Sequence, residues 1–254
     1  MKTFYITDLD GTFLGKDARP SAFSIQGLEL LHGRGVAFTV ASARMPSSVA
    51  EIMAGAGISV PAVLLNGAVI YDLKAARCCK VEYIAPASCA LARDILRKHG
   101  LRGGSYLIQS GGITVTAEGP FAPLSEESRG SCFYMKIAGT CEGLIGAFEE
   151  ARQVPGLSAL LYGSVYSTQR YYLEVFSAKA SKQSGVQWLK DQYGYDRVVG
   201  FGDNLNDLPL LQACDVFYAV ENALDELKAA ASAVIGPHDH DAVIKQILTL
   251  EGLL

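Results

Sequence analysis

Residues 4–15 read FYITDLDGTFLG. The first four are apolar or β-branched, which predicts a buried strand, and the polar residues that follow mark its end. Asp8 and Asp10 stand two positions apart at this end, and alternation along an extended chain turns both side chains toward the same side. Gly11 comes next and permits a sharp turn. The N-terminal strand therefore delivers two carboxylates to one place.

The chain on either side of this stretch alternates short apolar strands with amphipathic helices. Such alternation implies right-handed crossovers and a parallel sheet covered on both faces. The strands are predicted at 3–7, 36–42, 62–67, 197–203, 216–220 and 233–236, and the helices at 21–35, 46–57, 181–194, 205–214, 222–231 and from about 240. Both ends of the chain thus contribute to one Rossmann-like α/β core.

The pattern changes from about Val81 onward. Residues 105–110 and 113–118 flank Gly111 and Gly112 and predict a hairpin. Further strands are predicted at 131–139 and 171–176, with a helix at 141–154 between them. We therefore expect a core domain made of residues 1–82 and 178–254, interrupted by an inserted α/β domain at 83–177.

Composition restricts the functions that can be proposed. The chain has 254 residues, half of them hydrophobic, and a net charge of −4 without a basic cluster, which argues against nucleic-acid partners. We find no secretory signal and no apolar run long enough for a membrane span. Six scattered cysteines without a Cys-x-x-Cys pair favour a cytoplasmic protein. P-loop and dinucleotide-binding glycine patterns are also missing from the sequence.

A second pair of carboxylates ends a later predicted strand. Asp203 closes the strand at 197–203, and Asp207 follows four residues later. In an open parallel sheet, ligands bind beyond the carboxyl ends of the strands, where Asp8 and Asp10 are also expected. A single aspartate after a strand is more often a cap or turn residue, but four carboxylates at one edge would repel one another unless a hard cation lay among them. This pattern favours Mg²⁺.

Four segments in order now permit a comparison with a known family. DLDGT at 8–12, ASAR at 41–44, Lys182 and GDNLND at 202–207 resemble the four motifs of the haloacid dehalogenase-like hydrolase superfamily. The long insert looks like that of the Cof-type branch, which consists mostly of Mg²⁺-dependent phosphatases of sugar phosphates and related metabolites. The resemblance implies a phosphoric monoester hydrolase with a mobile cap domain.

The resemblance also implies a role for individual residues. Asp8 would be the nucleophile and Asp10 the general acid and then base, while Lys182 would stabilise the transferring phosphoryl charge; Lys179 is a competing candidate for the lysine. Mg²⁺ would bind Asp8, the Asp10 backbone carbonyl and Asp203, with Asp207 completing the acidic set. The predicted substrate- and phosphate-binding residues are Gly11, Ser42, Ala43, Arg44, Asn66, Lys182 and Asn206.

Several alternatives remain open at this point. A phosphomutase would use the same aspartates but pass the phosphoryl group to a second sugar oxygen, and a non-catalytic metabolite sensor could keep the scaffold. Ala43 stands where the branch has glycine, which raises the question of whether the backbone there needs a positive φ. The expected partner is a small phosphorylated substrate bound by a monomer or homodimer. Arg129, Tyr134, Lys136 and Gln109 of the insert are candidates to read its leaving group.

Overall fold

The computed structural model describes residues 2–109, 112–116, 119–121, 124–164 and 167–254. These residues form two compact units. The first, here called the core unit, comprises Met1–Cys79 and Ser181–Leu254, and the second, the inserted unit, comprises Lys80–Ala180. Each unit has its own sheet.

Within the described residues, the elements alternate as follows. The strands are β1 Thr3–Thr7, β2 Ala37–Ser42, β3 Ala62–Leu64, β4 Val69–Asp72, β5 Arg77–Val81, β6 Arg102–Gln109, β7 Gly112–Val115, β8 Gly119–Pro120, β9 Cys132–Gly139, β10 Leu157–Ser164, β11 Ser167–Ser177, β12 Arg197–Gly202, β13 Val216–Ala219 and β14 Ala233–Val234. The helices are α1 Ala22–Gly33, α2 Pro46–Ile52, α3 Pro86–Lys98, α4 Glu126–Gly130, α5 Cys141–Ala151, α6 Lys182–Tyr193, α7 Leu208–Ala213, α8 Asp225–Ala230 and α9 Ala242–Leu250, with 3₁₀ turns at Leu65–Gly67, Leu205–Asp207 and His238–His240.

The core sheet has the order β14-β13-β12-β1-β2-β3-β4-β5. The central strand β1 runs parallel to β12 on one side, with Thr7 opposite Phe201, and parallel to β2 on the other, with Thr7 opposite Val40. Three parallel carboxyl ends therefore meet at one edge of the sheet. The prediction of an α/β fold with a parallel-sheet core is confirmed.

The sheet departs from the predicted parallel arrangement beyond β3. Strand β4 runs antiparallel to β3, with Leu64 opposite Val69. The reversal takes place in the turn Leu65–Gly67, where all three residues have positive φ. Antiparallel neighbours can be joined by so short a connection, whereas a parallel crossover needs a dozen or more residues.

The ends of two helices show where local sequence signals predict a helix boundary correctly and where they do not. Helix α6 begins after Ser181, whose side chain accepts a hydrogen bond from the Ser184 N–H in a capping box, and ends at the left-handed Gly194. These are the boundaries that the sequence predicts. Helix α2 is shorter than predicted because the chain leaves the helix before Gly55, which has φ +81°.

The inserted unit is an antiparallel sheet in the order β10-β11-β9-β6-β7, with helices packed on one face. Apolar side chains of α3 and α5 contact inward-facing residues of β9 and β11, including Met135 and Leu173, and form its core. The predicted hairpin is present as the pair β6–β7, with Gln109 opposite Gly112, and its turn at 110–111 lies outside the described residues. Helix α3 and strand β10 were not predicted.

No described helix combines the length and the apolar character that a transmembrane span requires.

Candidate active site

Three carboxylates converge at the edge formed by β1 and β12. Asp8 follows β1, and its N–H donates to the carbonyl of Phe201, which holds the end of β1 against β12 (2.9 Å). Asp203 follows β12, and Asp207 lies one short turn later. All three are buried, and one carboxylate oxygen of each lies within 4.8 Å of the others. The aspartates quoted from distant parts of the sequence therefore form one cluster.

Lys182 lies among these carboxylates. It is the first residue of α6, its side chain is buried, and Nζ donates to Asp8 Oδ1 (2.6 Å) and to Asp207 Oδ1 (2.5 Å). Burial alone would lower the pKa of Lys182, but the charges of Asp207 and Asp8 outweigh it and hold the pKa above its ordinary value. The lysine is therefore protonated. Lys179, the competing candidate, is exposed.

Asp207 organises the loop after β12. Its Oδ2 accepts hydrogen bonds from the backbone N–H groups of Asp203 (3.0 Å) and Asn204 (3.2 Å), while Oδ1 accepts from Lys182. Both carboxylate oxygens thus have protein donors. Asp207 therefore holds both the backbone of Asp203 and the ammonium group of Lys182 in place.

The cluster contains three carboxyl groups and one ammonium group. Burial raises the pKa of Asp203 to about 7, and the charge of Asp207 adds to this, against the hydrogen bond from Thr12 Oγ1 (3.0 Å). Burial also raises the pKa of Asp8, although Lys182 acts in the opposite direction. Three buried carboxyl groups with only one ammonium group among them form a set of hard oxygen ligands that fits a divalent cation such as Mg²⁺.

Gly11 brings the two aspartate loops together. It has φ +82°, and a Cβ at this position would overlap the Asp203 carboxylate. The carbonyl of Gly11 accepts from Asn222 Nδ2 (2.8 Å), and the N–H of Leu224 donates to the carbonyl of Asp203 (2.9 Å). The segment 220–224 therefore braces both loops.

Sequence reasoning did not single out Asn222. No local pattern in the segment beginning at Val220 indicates which of its residues reaches back to Gly11. The side chain also accepts from the N–H of His238 (3.1 Å) through Oδ1, so one amide joins three segments of the chain.

The segment after β2 contributes Ser42, Ala43 and Arg44. Ser42 is buried, and its Oγ accepts from the Arg44 N–H (3.2 Å). Ala43 is not among the described non-glycine residues with positive φ, so its Cβ meets no backbone strain. The Arg44 side chain forms an ion pair with Asp10 through its guanidinium nitrogens Nε and Nη2.

Two predicted substrate residues occupy turns at the same end of their strands. Asn66 is buried in the left-handed turn after β3, with φ 54°. Asn206 is partly exposed in the 3₁₀ turn Leu205–Asp207. Their contacts with a substrate stay predictions.

The candidates in the inserted unit mostly have partners inside that unit. Lys136 Nζ lies 2.7 Å from Oε1 of the fully buried Glu174, which also accepts from the Tyr162 hydroxyl (2.7 Å). Tyr134 is buried and stacks on Phe176 with ring centroids 5.4 Å apart. Gln109 is exposed, and Arg129 is partly exposed.

The chain matches the family described as haloacid dehalogenase-like hydrolase over residues 5–131 and 144–247. A putative phosphatase of Haemophilus influenzae is 25% identical, with 93% of this chain and 94% of that protein covered. The pyridoxal phosphate phosphatase YbhA of Escherichia coli is 23% identical, with 94% and 95% covered.

A solved structure shares the fold over the full length. BT1666 from Bacteroides thetaiotaomicron, analysed among phosphatases of the haloalkanoate enzyme superfamily, has a TM-score of 0.77 and 21% identity, with 100% of this chain and 96% of that chain covered.

Proposed function

The chain belongs to the haloacid dehalogenase-like hydrolase family, and from that premise we propose that it is a Mg²⁺-dependent phosphatase of small phosphomonoesters, acting through an aspartyl-phosphate. The family and the relatives named as phosphatases confirm the enzyme class that the motifs predict, a phosphoric monoester hydrolase. Sugar phosphates or similar metabolites are the substrates that we propose.

One observation carries the proposal: the Lys182 side chain is buried at the edge of the sheet, with Nζ within hydrogen-bond distance of both Asp8 and Asp207. Lys182 would stabilise the negative charge on the phosphoryl oxygens and hold Asp8 in place for attack. The hydroxyl of Ser42 lies at the same edge and would donate to a phosphoryl oxygen.

The reaction would proceed in two balanced steps. In the first, an Asp8 carboxylate oxygen attacks phosphorus, the bond from phosphorus to the leaving oxygen breaks, and that oxygen takes a proton from the Asp10 carboxyl group. In the second, water attacks the phosphoryl group and gives its proton to the Asp10 carboxylate. The bond from phosphorus to the Asp8 oxygen then breaks and phosphate is released.

The carboxylates of Asp8 and Asp203 and the backbone carbonyl of Asp10 would hold Mg²⁺, with Asp207 orienting Asp203 through its backbone. When bound, the cation supplies positive charge that lets an anionic phosphoryl group approach the carboxylates. The burial of Asp203 beside Asp207 supports this assignment: burial first, and the charge of Asp207 second, raise the pKa of Asp203, and a bound cation would offset both effects.

The test is phosphate release from sugar phosphates, pyridoxal phosphate and p-nitrophenyl phosphate, with Mg²⁺ and with EDTA. Release that needs Mg²⁺ and is abolished by Asp8→Asn, but kept by the exposed control Asp94→Asn, would support the proposal. No release from any substrate by the wild type would overturn it. Transfer of phosphate between positions of a sugar without release would instead identify a phosphomutase.

A further inference from the structure

Asp10 and Arg44 form a bidentate ion pair in the core unit. Arg44 Nε donates to Asp10 Oδ2 (2.7 Å), and Nη2 donates to Oδ1 (2.5 Å). The two side chains are 27% and 22% exposed, so the pair lies at the rim of the site and not in its buried centre. A guanidinium fork matched to both oxygens of one carboxylate fixes orientation as well as distance.

Arg44 is itself held from two further directions. Its Nη1 donates to Ser48 Oγ (3.2 Å) on α2, and its backbone N–H donates to Ser42 Oγ (3.2 Å) at the end of β2. The guanidinium therefore links Asp10, on the loop after β1, to the start of α2. The sequence predicts Arg44 as a phosphate ligand, and these contacts support a different role, which is to hold Asp10.

We propose that Arg44 is a positioning residue that acts through Asp10, an inference that rests on the proposed function. Asp10 follows the strand on a loop, where its carboxylate could otherwise rotate about two side-chain torsions. Proton transfer requires the carboxylate to lie within hydrogen-bond reach of the leaving oxygen or the water. The Arg44 fork restricts that rotation but takes only two of the roughly four lone-pair sites of a carboxylate, so an Asp10 oxygen can still carry the proton, while Arg44 itself stays protonated.

The way in which kcat/KM depends on the leaving group distinguishes the positioning of Asp10 from phosphate binding. An alkyl phosphate leaves as an alkoxide and needs the proton of Asp10, whereas p-nitrophenolate leaves without one. The ratio kcat/KM reports only the steps up to leaving-group release, so it isolates the first proton transfer. The variant Arg44→Lys keeps the positive charge but loses the fork.

For Arg44→Lys we expect kcat/KM with an alkyl phosphate to fall about 100-fold, the lower end of a general acid contribution. With p-nitrophenyl phosphate kcat/KM should stay within about threefold, and the inhibition constant of inorganic phosphate should not change. Asp10→Asn should show the same dependence on the leaving group. Adding Arg44→Lys to Asp10→Asn should have little further effect, because both substitutions disable the same proton transfer. Arg19→Lys changes an exposed arginine that pairs with Glu51, and as the matched control it should behave like the wild type.

An equal loss with both substrates, together with weaker inhibition by inorganic phosphate, would overturn the inference and make Arg44 a phosphate ligand. Additive losses in the double variant would overturn it as well. A wild type without phosphatase activity would overturn the proposed function itself, which is a separate outcome from either of these.

Discussion

Gly67 lies so close to Ser181 that a Cβ on Gly67 would overlap the Ser181 carbonyl group. Ser181 is the N-cap of α6, and the next residue is Lys182. Gly67 ends a left-handed turn in which Leu65 and Asn66 also have positive φ (50° and 54°), a conformation that costs L-residues roughly 1–2 kcal/mol each. The strained turn after β3 therefore forms the surface on which the lysine-bearing helix begins.

Gly67→Ala should disturb the start of α6. The added methyl group meets backbone and not a flexible side chain, so we expect the free energy of unfolding to fall by about 3 kcal/mol and the phosphatase kcat to drop at least tenfold. Gly55 is a matched control, since it has φ +81° with nothing within 4 Å of a Cβ. Its alanine variant should lose only about 1 kcal/mol. Equal losses in urea unfolding would show that φ, and not the contact with Ser181, determines the cost.

Lys182→Met should remove the positive charge from between Asp8 and Asp207. Breaking a buried ion pair on one side typically costs 3–5 kcal/mol, and protonation of a carboxylate would reduce this, so we expect about 3 kcal/mol. The exposed Lys179→Met should change stability by less than about 0.5 kcal/mol. Thermal unfolding and phosphate release measure both effects. Full activity in the first variant, or loss of activity in the second, would contradict the assignment of the lysine.

Asp203→Asn should make the metal-free protein more stable. The asparagine keeps an acceptor for Thr12 Oγ1 but removes one charge from a buried cluster in which the carboxyl pKa is raised to about 7. At pH 8 we expect a gain on the order of 2 kcal/mol in EDTA. Mg²⁺ should raise the melting temperature of the wild type and not that of the variant. A Mg²⁺-induced increase of equal size in both proteins would exclude Asp203 from the metal site.

Asn222→Ala should loosen the loop that follows Asp10, because it removes the donor to the Gly11 carbonyl. We expect kcat to fall about tenfold and the Mg²⁺ concentration for half-maximal activity to rise, the usual effect of losing a supporting contact. Asn222→Asp keeps an acceptor for the His238 N–H but also lacks the donor. If the aspartate variant behaves like the wild type, the contact with His238, and not that with Gly11, is the one that matters.

The helices with clear caps were predictable, and the irregular connections were not. Ser181 and Gly194 delimit α6 because the N-cap hydrogen bond and the left-handed C-terminal residue are local. Strand β4 was missed because the preceding turn uses a leucine and an asparagine at positive φ, which sequence patterns do not indicate. Helix α3 begins with Pro86, a recognisable first-turn proline, and could have been found.

The sequence by itself determined that Asp8, Asp10 and Asp203 lie after strands and that Lys182 begins a helix, because hydrophobic period, glycines and caps are properties of neighbouring residues. Only the tertiary structure decided which partner each side chain has. Arg44 pairs with Asp10, Asp207 holds the backbone of Asp203, and Asn222 supports Gly11. These contacts join residues up to 211 positions apart, and such pairs are set by how the strands are ordered in the sheet, which no local pattern specifies.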